Sequence, residues 1–284
     1  MISEPPLPAD VRALFADGAE AGRSLSVPLP PGRPVTPQGG SGRPAFWLGD
    51  GPAAAGLWAR LRAEHERSGL WPLLLDAADD EDPQYRPWGN GDVRPDVMSS
   101  PDGHDPAVLL ARWWTDHTAE DPDDTLTAAE RAAITAPFGT TWPGPATTPP
   151  SVGDVDRIAD GLAEHLLAGH PSLRLGLVAT DRVADAVTRA GWTGATNQTG
   201  DTAEISAVLR GWEDRFGARV VGVGPATLVL SVAGPPTTRE AALAVAAEHF
   251  AFCPDNIWQG QDPCTLAAYA ERLVDDHSWT FWWD

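Results

Sequence analysis

The chain has 284 residues, with 40 acidic and 20 basic side chains that give a formal net charge of −20 at pH 7. Every basic residue is an arginine, so chemistry that requires a lysine, such as Schiff-base formation or a phosphate-binding loop lysine, is excluded. An acidic surface repels phosphate backbones and anionic lipids. We therefore expect no nucleic-acid partner and no membrane partner.

The N-terminal half, residues 1–145, is predicted to be an α/β region rich in loops. Its first ten residues lack the basic and apolar pattern of a signal peptide, so we expect a cytoplasmic protein. Segments rich in Pro, Gly and Asp predict loops at 24–44 and 76–106. Apolar spacing predicts helices at 53–67, 107–117 and 127–134 and a buried strand at 70–76.

A proline-rich segment at 142–151 predicts a boundary, followed by a C-terminal domain at 151–284. The domain is predicted to have the order α-β-α-β-α-β-β-α-α-β and a mixed sheet, which makes the fold class mixed α/β (α+β). This order requires a short strand after Gly191. The hairpin is predicted at 219–223 and 227–232. The predicted helix-starting residues are Ser151, Asp181, Asp201, Thr237 and Thr265.

The chain ends in Trp279-Thr-Phe-Trp-Trp-Asp284. Alternation places Trp279, Phe281 and Trp283 on one face, which predicts a closing strand with a buried aromatic face. We expect this face to pack against the helix that carries Leu266, Tyr269 and Leu273.

Several segments of the C-terminal half resemble a known family. They are Leu175-Gly-Leu-Val, Ala190-Gly-Trp-Thr-Gly194, Val208-Leu-Arg-Gly-Trp-Glu-Asp-Arg-Phe-Gly-Ala218, Glu248-His-Phe-Ala-Phe-Cys-Pro-Asp255 and Trp279–Asp284. Together they resemble an uncharacterised bacterial family catalogued as domain of unknown function 4253, over about 173–284. The resemblance implies a fold unit and leaves the activity open.

His249 and Cys253 are four residues apart on one predicted helix, a spacing at which two side chains can share a zinc ion. Asp255 or Cys264 would supply a third ligand. The competing interpretation is a histidine at the edge of the core and a small buried thiol. No second closely spaced ligand pair accompanies them, so no cofactor is expected, with zinc as the alternative.

Glu213 and Asp214 lie on the outer face of the helix that turns Trp212 inward, where Arg210 and Asp214 are predicted to form an ion pair. They are either metal ligands or a general base, or part of a solvated charged face. Two acidic runs, at 79–82 and 120–124, lack the spacing of a calcium loop and are interpreted as loop and cap residues.

Aromatic residues supply the candidates for partner binding, because aromatics anchor protein interfaces. The candidates are Tyr85, Trp88, Trp114, Trp258 and Trp282. For the first three, the competing and favoured interpretation is packing in the core, which large aromatics usually fill. Trp113 and Trp114 are adjacent on a helix, so one is expected inside and the other more exposed.

Two functional hypotheses follow from these patterns. The first is a non-catalytic protein-binding module that neutralises a basic protein partner, as an immunity protein does, because the chain is acidic and carries no catalytic motif. The second is a small metal-dependent hydrolase or nucleotide-processing enzyme. It would use Glu213, Asp214, His249, Cys253 and Asp255, which must then converge on one cleft.

Overall fold

The structure is a computed structural model that describes residues 5–16, 18–40, 42–79, 81–119, 127–260 and 264–284. Its strands are β1 (Gly32–Val35), β2 (Phe46–Pro52), β3 (Leu70–Leu75), β4 (Arg174–Ala179), β5 (Ala218–Val223), β6 (Thr227–Val232) and β7 (Ser278–Trp282). Its helices are α1 (Ala9–Arg12), α2 (Leu57–Arg62), α3 (His65–Ser68), α4 (Pro106–Thr118), α5 (Ala128–Ile134), α6 (Val155–Gly169), α7 (Ala186–Ala190), α8 (Thr202–Phe216), α9 (Arg239–Phe252), α10 (Asp255–Trp258) and α11 (Leu266–Leu273). The predicted mixed α/β class is confirmed.

The strands form one sheet in the order β1-β2-β4-β3-β5-β6-β7. All neighbouring pairs are antiparallel except β3 and β5, which run parallel. Strand β4 comes from the C-terminal half, yet it lies between β2 and β3 of the N-terminal half. The two predicted units therefore contribute interleaved strands to a single sheet.

The parallel contact between β3 and β5 is short. Only Leu74 and Leu75 of β3 pair with β5. Pro72 lies earlier in β3 and has no N–H to give to a neighbouring strand. Beside it, the indole Nε1 of Trp71 donates to the carbonyl oxygen of Val220 at 2.8 Å. A side-chain hydrogen bond thus continues the join between the two strands where the backbone pairing stops.

Helices cover both faces of the sheet at its β5–β7 end. Gly222 of β5 faces Leu166 of α6. Successive residues of a strand face opposite sides of the sheet. The pairing of the strands places Leu228 of β6, and its partner Phe281 of β7, on the face opposite Gly222. There Phe281 stacks on Trp212 of α8 with the ring centroids 5.3 Å apart. The core therefore has a layer on each side of the sheet.

Several predictions in the N-terminal half are confirmed, and others are wrong. The strand at 70–76 and the helices at 107–117 and 127–134 appear as β3, α4 and α5. The segment 24–44, predicted as loop, contains β1, a four-residue edge strand whose Gly and Pro obscured it. The helix predicted at 53–67 begins later, after Gly56 in a left-handed conformation, and is divided at Ala63 and Glu64 into α2 and α3.

In the C-terminal half, the hairpin and the helix starts at Asp201 and Thr265 are confirmed. No strand follows Gly191: residues 192–201, all within the described part of the chain, form turns and coil. The indole of Trp192 donates to the Gly224 carbonyl at 2.8 Å, which holds this segment as a turn against the hairpin loop. The short helix α10 was not predicted.

Three predicted caps in the C-terminal half are wrong. Asp154 rather than Ser151 caps α6, because its carboxylate accepts from the Arg157 N–H. Thr238 rather than Thr237 caps α9. Asp181 caps no helix and instead pairs with Arg23 at 2.7 Å. Within the described ranges, no helix combines the length and the apolar composition needed to cross a bilayer.

Candidate functional site

The aromatic face of β7 is buried as predicted, with Trp279, Phe281 and Trp283 at most 4% exposed. The helices that cover it differ from the prediction. Trp279 and Phe281 pack on Trp212 of α8 and His249 of α9, and no ring contact joins them to Tyr269 of α11. Large rings on α8 and α9 contact the rings of β7 directly, so these two helices cover the aromatic face.

His249 lies at the centre of this aromatic cluster and is 0% exposed. Its Nδ1 is 3.0 Å from the Tyr269 hydroxyl, which also accepts from the Asn256 amide at 3.1 Å. The Nε2 atom of His249 has no hydrogen-bond partner in the described structure. Burial lowers the pKa of His249 to about 3, because a charged imidazole loses its hydration. The ring is therefore neutral and enclosed.

Cys253 is also buried, and its thiol is 2.9 Å from the carbonyl oxygen of Trp282. Burial raises the pKa of this thiol to about 12, so it is not a ready thiolate ligand. The Asp255 carboxylate accepts from the backbone N–H of Asp284 at 3.2 Å, and Cys264 is half-buried. Among the residues that the structure describes, no group of three or more His, Cys, Asp and Glu side chains could hold a metal ion.

Asn256 covers the outer edge of β7, the last strand of the sheet. Its amide nitrogen donates to the Thr280 carbonyl at 2.7 Å, and its amide oxygen accepts from the Trp282 N–H at 3.3 Å. These two bonds are those that another strand would make with an exposed edge. One side chain thus takes the place of a neighbouring strand.

Glu213 and Asp214 line an open cleft of about 570 Å³, together with His65, Arg182 and Arg219. The Glu213 carboxylate accepts from Arg182 at 2.7 Å and from Arg219 at 3.1 Å. Asp214 accepts from Arg182 at 2.6 Å. Both carboxylates are therefore neutralised by arginines, and the structure places neither beside His249 or Cys253.

The predicted ion pair between Arg210 and Asp214 is absent. Arg210 instead forms a two-point bond to Asp185, at 2.6 and 2.7 Å, and a third bond to Asp102 at 2.5 Å. The bond to Arg210 lowers the pKa of Asp102. Tertiary partners on neighbouring segments replaced the local pair because they offer a carboxylate in the planar geometry that a guanidinium prefers.

Three of the five aromatic candidates for partner binding lie in the core. Tyr85, Trp88 and Trp114 are at most 2% exposed. The Tyr85 hydroxyl donates to the Leu75 carbonyl, and the Trp88 indole donates to the Asp76 carbonyl, both at 2.5 Å. Trp113 is buried as well, so the prediction that one of the two adjacent tryptophans is exposed is wrong. The Tyr85 and Trp88 rings thus attach the loop after β3 to the end of that strand.

Trp258 is the exception. It is 39% exposed and is the one large aromatic side chain with an exposed surface among the described residues. Its ring packs edge-on against Phe250, with centroids 5.4 Å apart, and against His117 at 5.8 Å. Trp282 is half-buried on the outer face of β7. Of the five candidates, Trp258 presents the most surface to a partner.

A buried charge network was not anticipated from the sequence. Glu248 is 0% exposed and accepts from both terminal nitrogens of Arg215, at 2.6 and 2.7 Å. It also accepts from the Trp212 indole at 2.6 Å and from the Ala146 N–H at 2.5 Å. A weak signal existed, since α9 is apolar on nearly every side and a carboxylate within it needs an internal partner.

The acidic runs can be compared with the structure only in part. The run at 120–124 lies outside the described residues, and so does position 80 of the run at 79–82. Within the first run, Asp82 accepts from Arg86 at 2.7 Å and from the Gln84 N–H at 3.0 Å. These contacts are those of a loop-forming aspartate.

Comparison with known proteins adds one finding. No curated protein and no solved structure matches the chain. The region from β4 to the end of the chain contains every residue of the C-terminal motifs quoted above. Residues 174–284 match the family model described as Domain of unknown function (DUF4253), which confirms the resemblance of this region.

Proposed function

We propose that this protein is a non-catalytic binding protein that captures a basic protein at a surface centred on Trp258. The observation that carries the proposal is the exposed ring of Trp258, because the other large aromatics among the described residues are buried or half-buried. Tryptophan is enriched among the residues that dominate binding free energy, since one ring buries a large area at small entropic cost.

Carboxylates lie near His117, which packs against this ring. Asp116 and Asp255 both lie close enough to His117 to act on its charge, and His117 contacts the Trp258 ring. Asp284 is joined to Asp255 through its backbone N–H. We call Trp258, Asp116, Asp255 and Asp284 the Trp258 patch. An apolar centre with acidic neighbours complements a partner that presents arginine or lysine side chains.

The ring is also held in place before any partner arrives. Phe250 and His117 contact it edge-on, and the His117 Nε2 is 3.2 Å from the Gln198 amide oxygen. Burial lowers the pKa of His117, so the ring beside Trp258 is neutral at neutral pH. A side chain that is already fixed loses little entropy on binding, which favours affinity.

The net charge of −20 adds a long-range contribution. It attracts a basic partner and accelerates the encounter at low ionic strength. A basic toxin or nuclease neutralised in this way is the partner class that we propose.

The test is capture by the immobilised full-length protein from a lysate of its host at low and high salt, followed by hydrogen-exchange mapping of each complex. A basic protein that is released by salt, protects α10 from exchange and is lost with Trp258→Ala supports the proposal. The matched control is Val108→Ala, because Val108 is 65% exposed on α4 and its loss should leave capture unchanged. Capture of the basic protein that is unchanged in the Trp258→Ala variant contradicts the proposal.

A hydrolase is the second candidate, and one observation favours it. His65 lies in the open cleft that Glu213 and Asp214 line, and its Nε2 is 2.8 Å from the Thr180 carbonyl oxygen, which fixes the proton on that nitrogen. Titration calorimetry with Zn²⁺ and with Mg²⁺ tests it. Stoichiometric binding that is abolished by Asp214→Asn would support a metal-dependent site, whereas unchanged binding or none would remove it.

A further inference from the structure

A second cleft, of about 480 Å³, opens at the carboxyl end of β4. Its charged lining consists of Arg23, Arg43, Arg189, Asp96 and Asp181. Carboxylates outnumber guanidiniums two to one in the whole chain, but here guanidiniums are in the majority. We call this cavity the arginine cleft. It is a local exception to the acidity of the protein.

Arg23 is fixed at the side of the arginine cleft. Its Nε donates to the Ala19 carbonyl at 3.0 Å, and its Nη2 bonds Asp181 at 2.7 Å. The guanidinium lies over the Phe15 ring, 5.1 Å from the centroid. Gly69 makes room for it, because a Cβ there would lie 1.9 Å from an Arg23 nitrogen. One cation of the cleft is thus positioned by the fold itself.

Arg43 and Arg189 come from two other segments, one just before β2 and one on α7. Both are exposed, and neither forms a hydrogen bond or an ion pair with another described residue. Their donors are therefore available to a ligand. A guanidinium presents its N–H groups in a planar fork that matches the oxygens of a phosphate.

Part of the remaining wall of the arginine cleft is apolar. Its apolar side chains include Leu14, Phe15, Pro44, Met98 and Pro101. The Ser99, Thr180 and Thr188 hydroxyls form hydrogen bonds within the protein, so they contribute little to the binding of a ligand. The volume is in the range of small-molecule sites, which combine apolar walls with a few polar groups.

We propose that the arginine cleft binds a small organic phosphate, with the phosphate between Arg43 and Arg189 and the organic part against the wall that contains Phe15. The two unpaired guanidiniums bind the negatively charged phosphate of the ligand, and the apolar wall contacts its carbon skeleton. Asp181, which also lines the cleft, is paired with Arg23 and has 84% of its side chain exposed.

Titration calorimetry at low ionic strength tests the proposal with four probes: inorganic phosphate, ribose 5-phosphate, adenosine monophosphate and succinate. We expect the two organic phosphates to bind more tightly than inorganic phosphate and than succinate. Each of Arg43→Gln and Arg189→Gln should weaken binding about tenfold, as expected for the loss of a charge-assisted hydrogen bond. The two organic phosphates distinguish a sugar phosphate from a nucleotide as the preferred class.

Arg157→Gln is the matched control, because Arg157 is exposed on α6 and does not line the cleft. It should leave the affinity unchanged, and all three variants should melt at the temperature of the parent protein. No binding by any phosphate, tighter binding of succinate, or affinity that survives the change of both Arg43 and Arg189 would overturn the proposal.

Discussion

The carboxylate of Glu248 and the guanidinium of Arg215 form a two-point ion pair in which the carboxylate has no contact with water. The pair joins α9 to α8. Through the Ala146 N–H and carbonyl it also fixes the proline-rich segment that precedes α6. A buried pair of this geometry is costly to break, because removing one partner leaves the other charge buried alone.

Glu248→Ala should therefore lower the free energy of unfolding by about 3–5 kcal/mol. Urea denaturation of the variant and of the parent protein measures the difference. Glu271→Ala is the control, since Glu271 forms an exposed pair with Arg239, with both side chains 64% exposed, and exposed pairs contribute about 0–1 kcal/mol. Equal losses in the two variants would contradict a structural role for the buried pair.

His249 should make the stability of the fold depend on pH. In the unfolded chain its pKa is near 6.5, and in the folded protein burial lowers the pKa to about 3. Between these values the unfolded state binds a proton that the folded state does not, so stability falls as pH falls, by up to about 1.4 kcal/mol per pH unit. The stability that depends on the neutral His249 ring is fully present above pH 6.5 and is lost as the pH falls to 3.

Urea denaturation at neutral pH and at successively lower pH values measures this slope. His249→Phe removes the titrating group while keeping a ring, and its stability should depend less steeply on pH across the same window. His165→Gln serves as the control because His165 is exposed. If the parent protein and His249→Phe show the same dependence, other groups titrate in place of His249.

Phe281 should be among the costliest side chains to truncate. It is 0% exposed and contacts Trp212, His249 and Phe252, so Phe281→Ala should cost about 3–5 kcal/mol. Thr280→Ala, on the exposed face of the same strand, should be nearly neutral. A chain that ends at Ser278 should fail to fold. Cooperative melting of that shortened chain near the temperature of the full-length protein would instead make β7 a dispensable appendage.

Asn256 should protect the protein against edge-to-edge association. Asn256→Ala removes both bonds to β7, which leaves the edge of the last strand open. We expect the variant to form larger species at high concentration, as measured by light scattering. Gln259→Ala is a control at the end of the same short helix, since Gln259 follows its last residue and is exposed. A monodisperse Asn256→Ala protein would show that the edge needs no cover.

The sequence predicted the elements whose signals are local. The helix α8 has apolar spacing and a capping residue, α9 has cap residues and a proline just after its end, and β7 has strict alternation, so their existence follows from local signals. Strand β1 escaped prediction because four residues with a glycine and a proline carry no such signal. Its conformation depends on pairing with β2.

The candidate sites were predicted less well for a related reason. His249 and Cys253 have a ligand-like spacing, but the sequence does not show that rings from α8 and β7 enclose the histidine. The partners of Arg210 and Arg215 are likewise far away in sequence. Of the aromatic candidates, only Trp258, at the end of a short helix, is exposed.

The position of β4 between β2 and β3 has a consequence for biosynthesis. A ribosome releases β2 and β3 well before β4, so the nascent N-terminal half holds two unpaired strand edges around an empty slot. Such edges are templates for mispairing, so we expect this half to mispair until residues 174–179 fill the slot. A fragment of residues 1–145 expressed alone should aggregate. Co-expression with residues 146–284 should restore soluble protein by filling the slot in trans.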